Sequence, residues 1–215
     1  MPKTVSMENV TGLLHGSNLK FLQIVVSSLI DMGYNTRVQV LDSSRCGGDA
    51  QKRQRVFVTA SRCDLPNTIP TPLDTHSFGN IEGKLPGRTA ADAIGDLLSV
   101  KPEKGTGRVS FQRIDGTYGT TYNHCEVGND VNKVEEELNE TGPARTIRRQ
   151  APVKHYALNR CITNRERARL QSFPDAFKFY GTLTDQRNQI GNAVPVRLAT
   201  EVARAIKNSC YADRG

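Results

Sequence analysis

The first sixty residues alternate between strand and helix patterns, and this alternation constrains the fold more than any other feature. Residues 4–8 alternate apolar and polar side chains, as a half-buried strand does. From Ser17, the predicted N-cap, to about Met32 the apolar residues follow a helical period. The predicted apolar face of this helix comprises Leu19, Leu22, Val26, Leu29 and Ile30. A helix between strands predicts an α/β sheet.

Further strands are predicted after this helix. Residues 34–41 carry alternating valines, and residues 55–60 (RVFVTA) form a continuous apolar run typical of a buried strand. These strands are too few for a complete doubly wound sheet, so we expect the start of the sheet to be missing and its edge to be open. The valines expected to lack full cover are Val5, Val38, Val40, Val56 and Val58.

The composition changes over residues 63–153, where Pro, Gly, Thr and Asn are frequent and no long helical period is present. Short strand-like stretches at 108–111 and 116–118, with one short helix at 90–98, predict a small, irregular, mostly β lobe. The acidic run 133–140 is predicted to be a solvated helix face, which would be a poor surface for phosphates.

The last segment, residues 154–215, is predicted to contain two helices. Thr163 and Glu166 have the spacing of a capping box, which predicts a helix to about Gln171. Pro195 is predicted at the first position of a final helix. Its apolar stripe comprises Leu198, Val202 and Ile206. We expect this helix to return to the sheet.

The charge of the chain favours a polyanionic partner. The net charge is +7 and the isoelectric point is near 9.3, which suits nucleic acid. Residues 145–169 contain eight cationic side chains and one acidic residue, Glu166. The cations are Arg145, Arg148, Arg149, Lys154, Arg160, Arg165, Arg167 and Arg169.

The five cysteines are odd in number and include no C-x-x-C pair, which argues against a disulfide framework and a zinc ribbon. We therefore predict no metal site and an intracellular, reducing location, which would be the nucleus if the organism is eukaryotic. No apolar stretch reaches the about 18 residues of a membrane-spanning helix.

Four stretches resemble C5-cytosine DNA methyltransferases, in the order of that family. Residues 2–14 resemble its Glu-Asn-Val motif, and residues 48–62 resemble its Gln-x-Arg-x-Arg motif and the following strand. Residues 160–175 (RCITNRERARLQSFPD) and 189–198 (QIGNAVPVRL) resemble its two last motifs, and this combination is highly specific. The resemblance is to the C-terminal portion of the family, from the Glu-Asn-Val motif onward.

The resemblance implies a partial Rossmann-like methyltransferase domain that uses S-adenosyl-L-methionine. Residues 1–62 would be its C-terminal part, residues 63–153 the target-recognition lobe, and residues 154–215 the lobe-organising helix and the returning helix. It also implies methyl transfer to C5 of a flipped cytosine in DNA. One departure is that Gly47-Gly48-Asp49-Ala50 stands where the family commonly has Tyr-Gly-Val-Pro.

The resemblance also assigns functional residues. Those implied in catalysis are Glu8, Asn9, Arg53 and Arg55. Those implied at the cofactor are Gly191, Asn192, Ala193 and Val194. The resemblance and the basic segment together predict four DNA-binding residues, which are Gln51, Arg145, Arg148 and Arg149. Alternate positions 53 and 55 would face one side if they enter a strand.

The Pro-Cys nucleophile motif and the glycine-rich cofactor loop precede Glu-Asn-Val in this family, and neither occurs in these residues. We therefore expect the isolated chain to be inactive, and possible partners include a separate chain that carries the first motifs. Two alternatives stay open at this point. The chain could be a catalytically dead DNA-binding or regulatory module, or a relative of the tRNA cytosine-5 methyltransferases.

Overall fold

A three-stranded sheet forms the N-terminal part of the computed structural model. The model describes residues 1–104, 107–112, 116–125, 128, 131–149 and 151–211. The strands are β1 (Thr4–Asn9), β2 (Tyr34–Asp42) and β3 (Gln54–Arg62), in the order β1-β3-β2. β3 runs antiparallel to both neighbours, so β1 and β2 are parallel to each other. The predicted strands are confirmed.

One face of the sheet is covered by helix α1 (Asn18–Asp31), which connects β1 to β2. Leu22 and Leu29 pack against Val58, among other apolar residues of the sheet. The predicted helix is confirmed, but the Ser17 side chain makes no capping hydrogen bond. The predicted apolar face is wrong at its margins, since Leu19 and Ile30 are exposed.

The opposite face is covered by helix α6 (Val196–Tyr211), which begins one residue after the predicted Pro195. Leu198 and Val202 are buried against Leu41 and Phe57, and Ile206 packs at the edge of this cluster. A one-turn helix, α2 (Ser43–Cys46), lies between β2 and β3. The predicted return of the last helix to the sheet is confirmed.

The cover over the sheet differs between its strands. Val56 and Val58 are fully buried because α1 and α6 cover the central strand β3, so the predicted exposure is wrong there. Val38 and Val40 on the outer strand β2 are 39% and 46% exposed, as predicted. Val5 on β1 is half-buried.

The lobe is irregular, as predicted, but the expectation of a mostly β lobe overstates its strands. β4 (His76–Ser77) and β5 (Leu85–Pro86) are parallel two-residue strands. The four-residue strands β6 (Val109–Gln112) and β7 (Tyr118–Thr121) form a hairpin. Helix α3 (Ala90–Ile94) has a Thr89–Asp92 capping box. The predicted helix over 133–140 is wrong, since one short 3-10 turn ends at Lys133.

Helix α4 (Asn164–Leu170) lies at the centre of the lobe and is buried along its whole length. The predicted Thr163–Glu166 capping box is present. Ile162 and Leu170 pack against α3 and Val153. Helix α5 (Leu183–Asn192) follows and leads into α6. None of the helices among the described residues is long and apolar enough to span a membrane.

Candidate active site and nucleic-acid interface

The end of β1 brings a carboxylate and a guanidinium together on the sheet. Glu8 stands opposite Phe57 in the register, so Arg55, two positions earlier on β3, is its diagonal neighbour on the same face. The Arg55 Nε–Glu8 Oε1 distance is 2.8 Å. The two side chains are 10% and 26% exposed, so the pair is partly shielded and still reaches the surface.

Burial lowers the pKa of Arg55, and the charge of Glu8 opposes that effect. A second Arg55 donor, Nη1, is engaged by the Gln54 carbonyl at 2.7 Å. The guanidinium is therefore held in one orientation, and it fixes the carboxylate beside it. This pair is the part of the predicted catalytic set that the structure brings together.

Arg53 lies just before β3 and does not reach the same place. Its buried guanidinium donates to the carbonyls of Ile147 at 3.1 Å, Gly191 at 2.7 Å and Ala193 at 3.0 Å. Burial, followed by the charge of Arg55, lowers its pKa to about 10. Arg53, which the resemblance implies in the catalytic set, therefore binds backbone carbonyls with these donors and joins three chain segments.

Asn9 is also separated from the pair. As the neighbour of Glu8 on a strand it points to the opposite face. It is exposed, and its Oδ1 accepts a hydrogen bond from the Val10 N–H at 2.8 Å. The structure therefore places Asn9 at the end of β1, without a contact to Arg55, and does not support its predicted place in the catalytic set.

Gln51 is fully buried, which corrects its predicted contact with DNA. Its Oε1 accepts from the Ile147 N–H at 2.8 Å, and its backbone forms a bridge with Ala144. Gln51 thus holds the lobe segment that carries the exposed arginines against the sheet.

The α5–α6 junction contains the residues predicted at the cofactor. A Cβ on Gly191 would lie 2.6 Å from the Arg149 Cα, so glycine is needed for close approach by the chain itself and not only by a ligand. The Asn192 side chain is exposed, while Ala193 and Val194 are half-buried. Val194 also packs on the cluster beneath α6.

A set of four exposed cations, termed the cation rim, surrounds the segment that enters β3. Arg145, Arg148 and Arg149 are exposed, as a contact with DNA requires. Lys52 is exposed too, and the sequence analysis missed it. Its N–H donates to the Ala144 carbonyl at 2.8 Å, which places it next to Arg145. The alternation of inward and outward side chains could have indicated an exposed Lys52, because Gln51 and Arg53 point inward on either side of it.

The sequence profile of the C-5 cytosine-specific DNA methylase family matches residues 1–208. The chain belongs to this family. Type II methyltransferase M.NgoFVII of Neisseria gonorrhoeae is 32% identical over 95% of this chain and 58% of that protein. Type II methyltransferase M.MthTI of Methanothermobacter thermautotrophicus is 31% identical over 93% and 64%. This methylase-family chain therefore spans less than two thirds of the length of these relatives.

Solved structures show the same fold. A protein from an Escherichia coli prophage, whose structure was solved as a DNA modification methyltransferase, superposes with a TM-score of 0.77 at 19% identity, over 97% of this chain and 70% of that one. The S. pombe Dnmt2 methyltransferase superposes with a TM-score of 0.61 at 14% identity, over 97% and 67%. At these identities the likeness concerns the fold, which is that of methyltransferases with mixed helices and strands.

Three arginines of α4 do not belong to the cation rim of this methylase-family chain. Arg165 and Arg167 are fully buried, and Arg169 is 9% exposed. Arg165 donates to three backbone carbonyls and Arg167 to one, while Arg169 forms ion pairs with Asp96 and Asp175. These three arginines therefore stabilise the packing around α4 and lie outside the predicted DNA-binding set.

Three of the five cysteines are buried, and the other two lie after β3 and near the end of α6. Burial raises the pKa of the Cys46 thiol to about 12 and also raises the pKa of Cys125. Cys161 is buried, and Cys210 lies near the end of α6. Cys63 is exposed but follows the far end of β3, roughly 26 Å from Arg55 at the rise of an extended strand. Within the described part of the chain, no cluster of His, Cys, Asp or Glu could hold a metal ion.

Asp49 occupies the loop that departs from the family pattern. It is fully buried, next to the start of α6. Burial raises the pKa of its carboxyl to about 6, although the nearby Ser172 hydroxyl, Arg197 and the Leu198 N–H lower it. The loop is close-packed, since a Cβ on Gly48 would lie 2.4 Å from the ring of His76.

We expect Asp49→Asn to change the pH dependence of stability. The unfolded carboxyl has a pKa near ~3.9, so the folded chain binds the extra proton between about pH 4 and 6. Stability from this group is full below pH ~4 and is lost as the pH rises through about 6, by roughly 2–3 kcal/mol. The variant should lose this slope and be more stable at pH 7. Urea unfolding between pH 4 and 8 measures it, with exposed Asp31→Asn as the control. An unchanged slope in Asp49→Asn would contradict the assignment.

Proposed function

We propose that this chain is the C-terminal portion of a DNA (cytosine-5-)-methyltransferase, which transfers a methyl group from S-adenosyl-L-methionine to C5 of an extrahelical cytosine. The observation that carries the proposal is the partly shielded Glu8–Arg55 pair, in which 2.8 Å separates the Arg55 Nε from the Glu8 Oε1. The division into catalytic part (1–62), recognition lobe (63–153) and returning segment (154–215) belongs to the same proposal.

The chemistry requires a base outside the duplex, because C5 and C6 of a stacked cytosine are out of reach. The Glu8 carboxyl would accept from the N4 amino group of that base and hold a proton at N3, which makes C6 easier to attack. Arg55 would keep the carboxyl in place and offer a donor toward O2. Arg53 is a positioning residue, since it ties β3 to Gly191 and Ala193.

The cation rim would supply contacts to DNA, to its phosphates and to its base edges. Lys52, Arg145, Arg148 and Arg149 are exposed around the segment that enters β3. Cations so placed release counterions from DNA, so affinity should fall steeply with salt.

The residues at the α5–α6 junction fit one wall of a cofactor site. The exposed amide of Asn192 can bind polar groups, and the half-buried Ala193 and Val194 offer apolar contact. S-adenosyl-L-methionine supplies the methyl group when it is bound. Gly191 packs closely on the backbone of Arg149 and so holds this wall against the lobe.

The nucleophile must come from a segment with the Pro-Cys motif, in the same polypeptide or in a separate one. Attack at C6 by a thiolate is what makes C5 reactive. Residues 1–215 contain no Pro-Cys dipeptide, and the described cysteines lie elsewhere. We infer that a polypeptide of these residues alone transfers no methyl group.

Transfer of labelled methyl from S-adenosyl-L-methionine to duplex DNA tests the proposal. We expect label in cytosine when a Pro-Cys segment accompanies residues 1–215, and none with these residues alone. Label transferred to tRNA and not to DNA would support the tRNA alternative. Salt-dependent duplex binding without transfer in the complete assembly would support the DNA-binding module. Transfer by these residues alone would refute the inferred need for the segment.

A further inference from the structure

A groove of about 560 Å³ beside the cation rim combines acids with arginines. It is lined by Glu135, Glu136, Arg145, Thr146 and Arg148. Glu135, Arg145 and Arg148 are exposed, and no ion pair joins these glutamates to these arginines in the part of the chain that the structure describes. Opposite charges that share a groove without pairing are free to bind another molecule.

The groove is fixed to the candidate active site by short contacts. Thr146 Oγ1 donates to the Lys52 carbonyl at 2.9 Å, and Gln51 and Arg53 bind the backbone of Ile147. A duplex whose extruded base reaches Glu8 would therefore pass this groove within a few base pairs.

Carboxylates are costly in a groove that faces phosphates, because they repel the backbone. Burial lowers the pKa of Arg167 to about 10, and the charge of Glu136 opposes this effect. Glu136 therefore has a partial structural role. Exposed Glu135 has no such partner among the described residues. On DNA, the groups that a carboxylate can accept from are exocyclic amines, and in the major groove Glu accepts from cytosine N4. Arginine reads the O6 and N7 atoms of guanine.

The geometry points to this groove as the element that reads G·C base pairs next to the target cytosine, with Arg145 and Arg148 on guanine and Glu135 on cytosine N4. The inference rests on the proposed function, which supplies the duplex. It assigns the substrate class as duplex DNA whose recognition sequence contains G·C pairs flanking the methylated base.

A randomised duplex library tests this inference when it is bound at about 0.15 M salt to residues 1–215 together with the Pro-Cys segment, and the retained duplexes are sequenced. The wild-type chain should enrich G·C at particular positions by about five- to a hundredfold. Glu135→Gln should lose preference at one of these positions while its affinity for unselected duplex rises by about two- to tenfold, because a repulsive charge is gone. Arg148→Lys should lose a guanine preference and keep its affinity for unselected duplex.

Glu140→Gln is the matched control, because Glu140 is exposed and does not line the groove. It should retain the wild-type preference. Enrichment without G·C pairs, or the same preference in all variants, overturns the inference and leaves the proposed DNA substrate standing. Failure of the wild-type chain to retain any duplex overturns the proposed function, and this inference with it.

Discussion

Replacing Arg53 with methionine is expected to lower the free energy of unfolding by about 3–5 kcal/mol. The guanidinium donates to the carbonyls of Ile147, Gly191 and Ala193, and methionine would leave these acceptors without it. A buried acceptor without a partner costs about 1–3 kcal/mol. Part of the loss is offset because a buried charge, with its pKa lowered to about 10, is removed. Urea unfolding of the purified chain measures the change.

Lys52→Met is the matched control, since Lys52 is adjacent and exposed. It should shift stability by less than about 0.5 kcal/mol, as surface substitutions do. A loss below about 1 kcal/mol in Arg53→Met would show that the three carbonyls find other partners, and the role of Arg53 as a tie between segments would be wrong.

Glu8→Gln is expected to reduce methyl transfer by about 10²- to 10⁴-fold in the complete enzyme, the range for loss of a general acid. Glutamine keeps the shape of the side chain but cannot deliver a proton to N3. The reduction should appear in the rate constant at saturating DNA, because the substitution does not change the cation rim that would bind the duplex. Single-turnover transfer of labelled methyl measures it.

Glu82→Gln, an exposed residue of the lobe, is the control and should leave the rate unchanged. Stability of Glu8→Gln should change little, because the glutamine oxygen can still accept the hydrogen bond from Arg55 Nε. A rate within tenfold of wild type would exclude Glu8 as the acid and would leave the sheet end as a binding surface only.

The regular elements that the sequence predicted are those with strong local signals. The strands of the sheet and helices α1, α4 and α6 follow from apolar periodicity and capping residues, and the structure confirms them. The acidic run 133–140 does not form a helix, because its backbone is hydrogen-bonded to another segment of the chain. The Leu138 N–H donates to the Lys154 carbonyl, and the Lys154 N–H to the Glu136 carbonyl.

The sequence predicted which residues form the candidate site. It did not predict which of them contacts Glu8 and which bind the backbone. The motif residues Gln51, Arg53 and Arg55 are close in sequence, yet Arg55 alone meets Glu8. Gln51 and Arg53 are turned inward by backbone groups of Ile147, 94 or more residues away, which no local pattern reveals. The exposed Lys52 lies between these two inward-pointing side chains, and the sequence analysis missed it because it did not apply this alternation.

The hydrogen bonds of Arg53 span 94 residues to Ile147 and 140 residues to Ala193, and this has a consequence for biosynthesis. A nascent chain emerges from its N-terminus, so the strand that carries Arg55 leaves the ribosome long before its distant partners exist. The candidate site is thus completed late in translation, and the unpaired Arg53 must stay hydrated until Ala193 has emerged. Pausing of the ribosome before that point would leave an intermediate with an unfinished site that is open to chaperones and proteases.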